Sequence, residues 1–258
     1  LINKKLQGRF DLPLYSNSLK ICNNFLINHY GGVEYRGGFI YDSKISCTND
    51  FITINFKYSE FKDFIVKIFN DGKILIYSNS DGKLLFIQEL NNNDLGDNYN
   101  DLSFIQYYNK LIITNYNMAV KELSYDGNAF TIQDFVYTVQ GSNENKPLNN
   151  NENQRPSKVC FYNNRLVFVG TKELPTVAFF SDLNNINSFT FNLSSDENAI
   201  PSIDGFYCNL DYLTTKPQYL ITNQNFLAVF SKSEIIIILA NGDLTLTTIQ
   251  TYKVDSMG

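Results

Sequence analysis

KVCFYNNRLVFVGTKELPTVAFFS, Lys158 to Ser181, carries one apolar strand-length block into an Asn-Asn turn, a second block out of it, and a third beyond a short polar link. No helical period runs through the stretch, and β-branched and aromatic residues fill the blocks. The pattern returns in SFIQYYNKLIITNYNMAVKEL (Ser103 to Leu123) and QYLITNQNFLAVFSKSEIIII (Gln218 to Ile238), and more loosely in DFIVKIFNDGKILIYSNSDGKLLFI (Asp63 to Ile87). Its turn positions Asn109, Asn164 and Asn225 lie 55 and 61 residues apart. Units of three or four strands that recur in this way predict an all-β, partial propeller-like array of antiparallel meander blades. A sandwich or barrel whose successive hairpins look alike is the alternative.

Eight runs read as strands: 51–58, 63–69, 73–78, 83–90, 110–116, 165–170, 226–231 and 234–239. Asp-Gly and related pairs punctuate them at Asp71-Gly72, Asp81-Gly82, Asp126-Gly127 and Gly242-Asp243, supplying the positive φ that tight hairpins demand. Two polar stretches, 91–101 and 141–156, predict long loops. The expected division is an N-terminal β segment over 1–50 and blades over 51–258. The chain begins at Leu1 and stops on Ser256, Met257, Gly258 without a closing element, so it is expected to be part of a longer protein.

The 258 residues, 43% of them apolar, suffice for a large buried core. Twenty-one basic against 26 acidic residues give a net charge of -5, and no basic run breaks it, which argues against a surface built to grip nucleic acid or anionic lipid. The longest apolar run, Ile235 to Ala240, is far too short to cross a bilayer. Lysine outnumbers arginine 17 to 4 amid abundant Asn, Ile, Tyr and Phe, the coding bias of an AT-rich genome. Synthesis in the cytoplasm is expected.

Chemistry is sparse. Cys22, Cys47, Cys160 and Cys208 form no CxxC pair, so buried free thiols are expected rather than zinc or disulfides. His29 is the sole histidine and sits beside a turn without a GxSxG elbow, which leaves no Ser-His-Asp or Cys-His arrangement. SNSDGK (Ser78 to Lys83) fails as a calcium loop because Gln88 stands where a bidentate glutamate belongs. A glycosidase needs two carboxylates across a pocket, and no pair is legible. The reading is a protein without catalytic residues, metal or cofactor.

GRFDLPLYSNS (Gly8 to Ser18), NNFLINHYGGVEYRGGF (Asn23 to Phe39), PSKVCFYNNRLVFVGTKELPTVAFFSDLNNINSF (Pro156 to Phe189) and the closing TLTTIQTYKVDSMG occur in that order. Together they resemble the tail nozzle proteins of short-tailed bacteriophages, the tail tubular protein B family. The resemblance covers Gly-Arg-x-Asp-Leu, a Gly-Gly-Val-x-x-Arg corner and an Arg-Leu-x-Phe-x-Gly-Thr blade. Gly37 stands where that family carries proline. The resemblance implies a virion tail protein assembled in the host cytoplasm, a hexameric ring of copies beside adaptor and portal proteins, and viral DNA passing through the channel. It carries no catalytic residue. Arg9, Arg36, Gly31, Gly32, Gly37 and Gly38 are the structural or inter-subunit candidates: the glycines allow an unusual backbone path, and Arg36 offers a planar fork to hold it. A carbohydrate-binding or carbohydrate-active propeller is the second expectation, motivated by 15% aromatic residues, and a cellular propeller scaffold the third.

Overall fold

The computed structural model describes residues 25–27, 33–35, 50–80, 82–89, 101–141, 148, 151, 153–191, 203–240 and 243–254. The chain forms two compact units, Leu1–Ile45 and Ser46–Gly258. In the first, β1 (Phe25–Ile27) pairs antiparallel with β2 (Val33–Tyr35), with Ile27 opposite Val33.

Among the described residues, the second unit contains four antiparallel sheets of four strands each, and a two-stranded parallel pair. Sheet 1 holds β3 (Phe51–Lys57), β4 (Asp63–Phe69), β5 (Lys73–Ser78) and β6 (Leu84–Glu89). Sheet 2 holds β7 (Ser103–Tyr107), β8 (Lys110–Asn115), β9 (Met118–Tyr125) and β10 (Phe130–Asp134). After β11 (Thr138–Gly141) comes sheet 3, with β12 (Lys158–Tyr162), β13 (Arg165–Val169) and β14 (Val177–Phe180). The chain then makes β15 (Ser188–Phe191), which returns to pair parallel with β11, before β16 (Phe206–Asn209) completes sheet 3 beside β14. Sheet 4 holds β17 (Tyr219–Thr222), β18 (Leu227–Phe230), β19 (Ile235–Ala240) and β20 (Ile249–Lys253). The expected all-β array of antiparallel meanders is what the chain forms. All eight strand runs read from the sequence fall within one residue of a strand at either end.

Turns follow the sequence chemistry. Gly72, Gly82 and Gly127 have φ of 87°, 65° and 102°, the left-handed region that glycine enters without a Cβ penalty. The β12–β13 turn uses Asn163 and Asn164 at φ 48° and 58°, the all-positive pair of a type I′ hairpin.

Sheets pack face to face, and each core lies between successive sheets. Phe64, Val66 and Ile68 of sheet 1 meet Leu111, Ile113 and Leu123 of sheet 2. Ile112 and Val120, on the reverse of sheet 2, meet Leu166, Phe168 and Phe179 of sheet 3. Val167, Val169 and Phe180, on the reverse of sheet 3, meet Leu227, Val229 and Ile236 of sheet 4. Alternation along one strand thus serves two cores, which is why the interior sheets read as unbroken apolar runs. Leu148 lies in the stretch 141–156, expected to be a polar loop, yet it is buried in the core between sheets 2 and 3.

Candidate functional site

Strand β12 neighbours β7 on one side and β17 on the other, so the first strands of sheets 2, 3 and 4 run side by side. Polar ties fix them. The Val159 amide donates to Ser103 Oγ at 3.1 Å, Thr114 Oγ1 donates to the Ser157 carbonyl at 3.2 Å, and Tyr162 Oη donates to the Asn225 carbonyl at 3.1 Å. Sheets 1 and 2 are joined likewise, Gln106 Oε1 accepting from the Lys57 amide at 3.0 Å while its Nε2 donates to the Lys57 carbonyl.

At the start of these strands three charges converge. Lys158 opens β12 and is buried, and its Nζ donates to the Asp101 carbonyl at 2.9 Å. Lys216, just before β17, reaches the Asp101 carboxylate at 3.0 Å and lies 5.6 Å from the ring centre of Tyr116. Burial pulls the Lys158 ammonium below its ordinary value, partly countered by Asp101, and burial pushes the Tyr116 phenol up. Asp101 and Lys216 are each partly exposed, so water screens their pair and it adds little to stability. Two cavities flank Asp101: one of 320 Å³ edged by Tyr116, Thr171, Lys172 and Lys216, and one of 460 Å³ edged by Ser103, Lys158, Gln218 and Tyr219. Lysines, a phenol and amides there can hold a small hydroxyl-rich or anionic molecule. No group of three or more His, Cys, Asp or Glu gathers as a metal cage among the described residues. No helix among them is long and apolar enough to cross a membrane.

Arg165 is the other charged group that matters. It is fully buried at the start of β13, with Nη1 donating to the carbonyls of Ser181 at 2.6 Å and Asp204 at 2.9 Å, and its guanidinium 5.5 Å from the Phe206 ring. Asp182, next to Ser181, accepts from the amides of Thr190 at 2.8 Å and Gly205 at 2.6 Å. These hydrogen bonds tie the residues after β14 to β15 and to the residues just before β16. Burial would raise the Asp182 carboxyl, but the hydrogen bonds from Ser188, Thr190 and Gly205 outweigh it and keep the group below its ordinary value. Neither residue stood out in the sequence as a site, although an arginine opening an apolar strand was the available signal.

Of the residues named from the sequence, Arg9, Arg36, Gly31, Gly32, Gly37 and Gly38 lie outside the described residues, as do His29, Cys22 and Cys47. The strands on either side of the first glycine pair, β1 and β2, are partners. Cys160 is a buried free thiol, as expected, whereas the free thiol Cys208 belongs to a residue that is only partly buried.

The fold and the junction define an all-β protein of serial antiparallel sheets. No protein-family model matches the chain, and no curated protein does. Solved structures do. One is a chain of "Structure of ctPRC2 in complex with H3K27me3 and H3K27M", 10% identical, TM-score 0.43, with 78% of this chain covering 39% of that one. A second, "Crystal structure of BBS1N in complex with ARL6DN, soaked with mercury", is 11% identical at TM-score 0.41, over 82% of this chain and 57% of that one. A third, "Crystal structure of the computationally designed Ika8 protein: crystal packing No.1 in P63", is 12% identical at TM-score 0.39, over 77% and 44%. The chain therefore spans between about two fifths and three fifths of the length of these neighbours. At these identities and scores they carry no argument about what the protein does.

Proposed function

We propose that the protein is a structural subunit of a bacteriophage tail, part of the nozzle through which DNA leaves, with its sheets arranged as propeller blades. The observation that carries the reading is the part played by the Arg-Leu-x-Phe-x-Gly-Thr segment on which the resemblance rests. Arg165 gathers loop carbonyls, and Leu166 and Phe168 fill one core. Gly170 turns at φ 71° where a Cβ would stand 2.9 Å from the Pro175 carbonyl. Thr171 Oγ1 accepts from the Leu174 amide at 2.9 Å. Each residue type in the segment has a scaffold task, which is what a structural motif requires.

The neighbouring first strands β7, β12 and β17 are in keeping with blades around an axis. A net charge of -5 suits a conduit, since a polyanion slides past a surface that offers few phosphate contacts. The partners are further copies of the chain, in a ring that the resemblance makes hexameric, and the adaptor and portal proteins of the tail. Electron microscopy of the protein together with its adaptor tests the reading: a ring with an axial channel is expected, and a protein that stays single with the adaptor present overturns it.

A second reading follows from the 460 Å³ cavity beside Asp101, where Tyr219 stands exposed at the rim next to Lys158 and Gln218. Tyrosine faces and polar side chains around a hollow suit a sugar, so a receptor-recognition component of the tail is the alternative. Binding on an array of host-surface polysaccharides, lost in Tyr219→Ala, would favour it over the conduit.

A further inference from the structure

Three first strands begin at one hollow. Ser103, Lys158 and Tyr219 are the opening residues of β7, β12 and β17, and all three line the 460 Å³ cavity beside Asp101, together with Gln218. That volume lies in the range of about 300 to 1,000 Å³ that small-molecule sites occupy.

The charge at this hollow is unbalanced. Two ammonium groups, Lys158 and Lys216, stand near one carboxylate, and Asp101 gives that carboxylate to Lys216 at 3.0 Å. Lys158 is 6% exposed, and among the described residues its Nζ makes one hydrogen bond, to the Asp101 main-chain carbonyl at 2.9 Å. An ammonium carries three donors. Buried charges are ordinarily paired as well as hydrogen-bonded, because an uncompensated charge away from water is destabilising. Lys158 has no carboxylate within ion-pair distance among the described residues, and it borders the cavity. Burial lowers its ammonium value, Asp101 opposes that shift and Lys216 adds to it. The acid that would balance Lys158 is one that a ligand can bring.

The rest of the rim suits a sugar ring. Tyr219 is 70% exposed, which leaves a ring face on which the apolar side of a pyranose can lie. Gln218 is half-buried, and its side-chain amide has no hydrogen-bond partner among the described residues. It therefore offers both donors and an acceptor to ring hydroxyls.

We infer that this hollow binds an acidic sugar, a hexuronic acid alone or within a polysaccharide, with its carboxylate on Lys158 Nζ and its ring on Tyr219. The carboxylate half stands on the unpaired ammonium, and the sugar half rests on the receptor-recognition reading above. Lys158 Nζ keeps its bond to the Asp101 carbonyl and turns its remaining donors to the carboxylate oxygens. Charge-assisted bonds of this kind are about twice as strong as neutral ones. The Lys216 ammonium offsets the repulsion that the Asp101 carboxylate would exert on the incoming acid. A neutral sugar of the same shape leaves Lys158 as it was and forgoes those bonds, so the hollow discriminates by charge.

Saturation-transfer NMR titrations of the 258-residue chain with glucuronate, glucose and acetate provide the test. Glucuronate is expected to bind, with glucose and acetate each at least about tenfold weaker. Lys158→Met keeps the apolar stem without the ammonium and is expected to bring glucuronate down to the level of glucose, whereas Tyr219→Ala weakens both sugars. Glucose as tight as glucuronate on the wild-type protein overturns the inference and leaves the sugar reading standing. Acetate as tight as glucuronate defeats both, the hollow then holding a bare carboxylate. Saturation transfer to none of the three overturns the inference, and the polysaccharide array then judges the sugar reading separately. Unchanged glucuronate affinity in Lys158→Met places the acid elsewhere and overturns it too. Should Lys158→Met fail to fold, the wild-type comparison of the three ligands still decides the charge preference, and the exposed Tyr219→Ala locates the site: glucuronate affinity unchanged there overturns the inference.

Discussion

The Nη1 of Arg165 donates to the carbonyl of Ser181 at 2.6 Å, tying the first residue of β13 to the first residue after β14. A cation at this depth persists because backbone carbonyls surround it and the Phe206 ring lies against it. Burial lowers the guanidinium value, while Asp182, Asp204 and Asp243 oppose that shift and favour the charged form.

Replacing Arg165 with Met keeps the volume and strands those carbonyls. The expected loss is about 3 kcal/mol, the cost of leaving buried acceptors without their charged donor. Urea titration measures it. Arg165→Lys recovers only part, since a single ammonium does not reproduce the planar fork. Full stability in the Met variant would mean that the carbonyls find water instead.

At Gly170, φ is 71° and a Cβ would stand 2.9 Å from the Pro175 carbonyl and 3.0 Å from Pro217 Cγ. Gly170→Ala therefore meets both an unfavourable backbone region and a clash with backbone. A loss of about 2 kcal/mol or more is expected, read as a lowered melting temperature. Asn164→Gly, at φ 58° with a side chain at the solvent-exposed turn, is expected to leave stability nearly unchanged. The pair of variants separates turn strain from steric conflict.

Glu234 sets an acid-side dependence. Hydrogen bonds from Ser231 and from Thr214 hold its carboxyl well below the ordinary range, down to about 2. A carboxylate whose folded value lies below the unfolded one stabilises the fold above the unfolded value and loses that contribution as pH falls toward the folded value. The stability gap between wild type and Glu234→Gln is expected to be constant above about pH 5 and to shrink between about pH 4 and pH 2. Guanidinium midpoints taken across that window measure it, and a gap that does not change with pH would refute the assignment.

Burial drives the Cys160 thiol far up and the Cys208 thiol up to about 12. Thiolate is the reactive form, so neither should react at pH 8 while the protein is folded. With Cys22 and Cys47 replaced by serine, the native protein is expected to show almost no reaction with a disulfide reagent, and the denatured protein to react at both remaining thiols. Rapid modification of the native form would mean that sheet 3 opens locally.

Strands were legible because period-two alternation and turn chemistry are local properties. FITINFK, DFIVKIF and KILIYS announce sheet 1, and Asp71-Gly72 announces its hairpin. Even so, the three asparagine turns work differently. Asn164 itself takes the left-handed conformation. At Asn109 the preceding Tyr108 does so at φ 51°, and Asn109 Nδ2 instead donates to the Tyr125 carbonyl at 3.0 Å. At Asn225 the capping acceptor is Asn223 Oδ1, 2.8 Å from the amides of Asn225 and Phe226. The parallel pairing of β11 with β15 was not legible, because SFTF is short and its partner lies about fifty residues earlier. The junction at Asp101 escaped for the same reason, since Lys216 lies 115 residues away and only the fold brings the two together. Leu148 escaped because its asparagine-rich surroundings hide a buried anchor.

The sharing of β13 between two cores has a thermodynamic reading. Leu166 and Phe168 answer to one neighbouring sheet, Val167 and Val169 to the other, so a slip of a single residue would exchange both interfaces at once. Register in the interior is thereby locked twice, whereas among the described residues sheets 1 and 4 each share a core with a single neighbouring sheet. Stability then propagates like a nearest-neighbour chain: amide exchange should slow from sheets 1 and 4 toward sheets 2 and 3, and fraying should begin at the ends of the series.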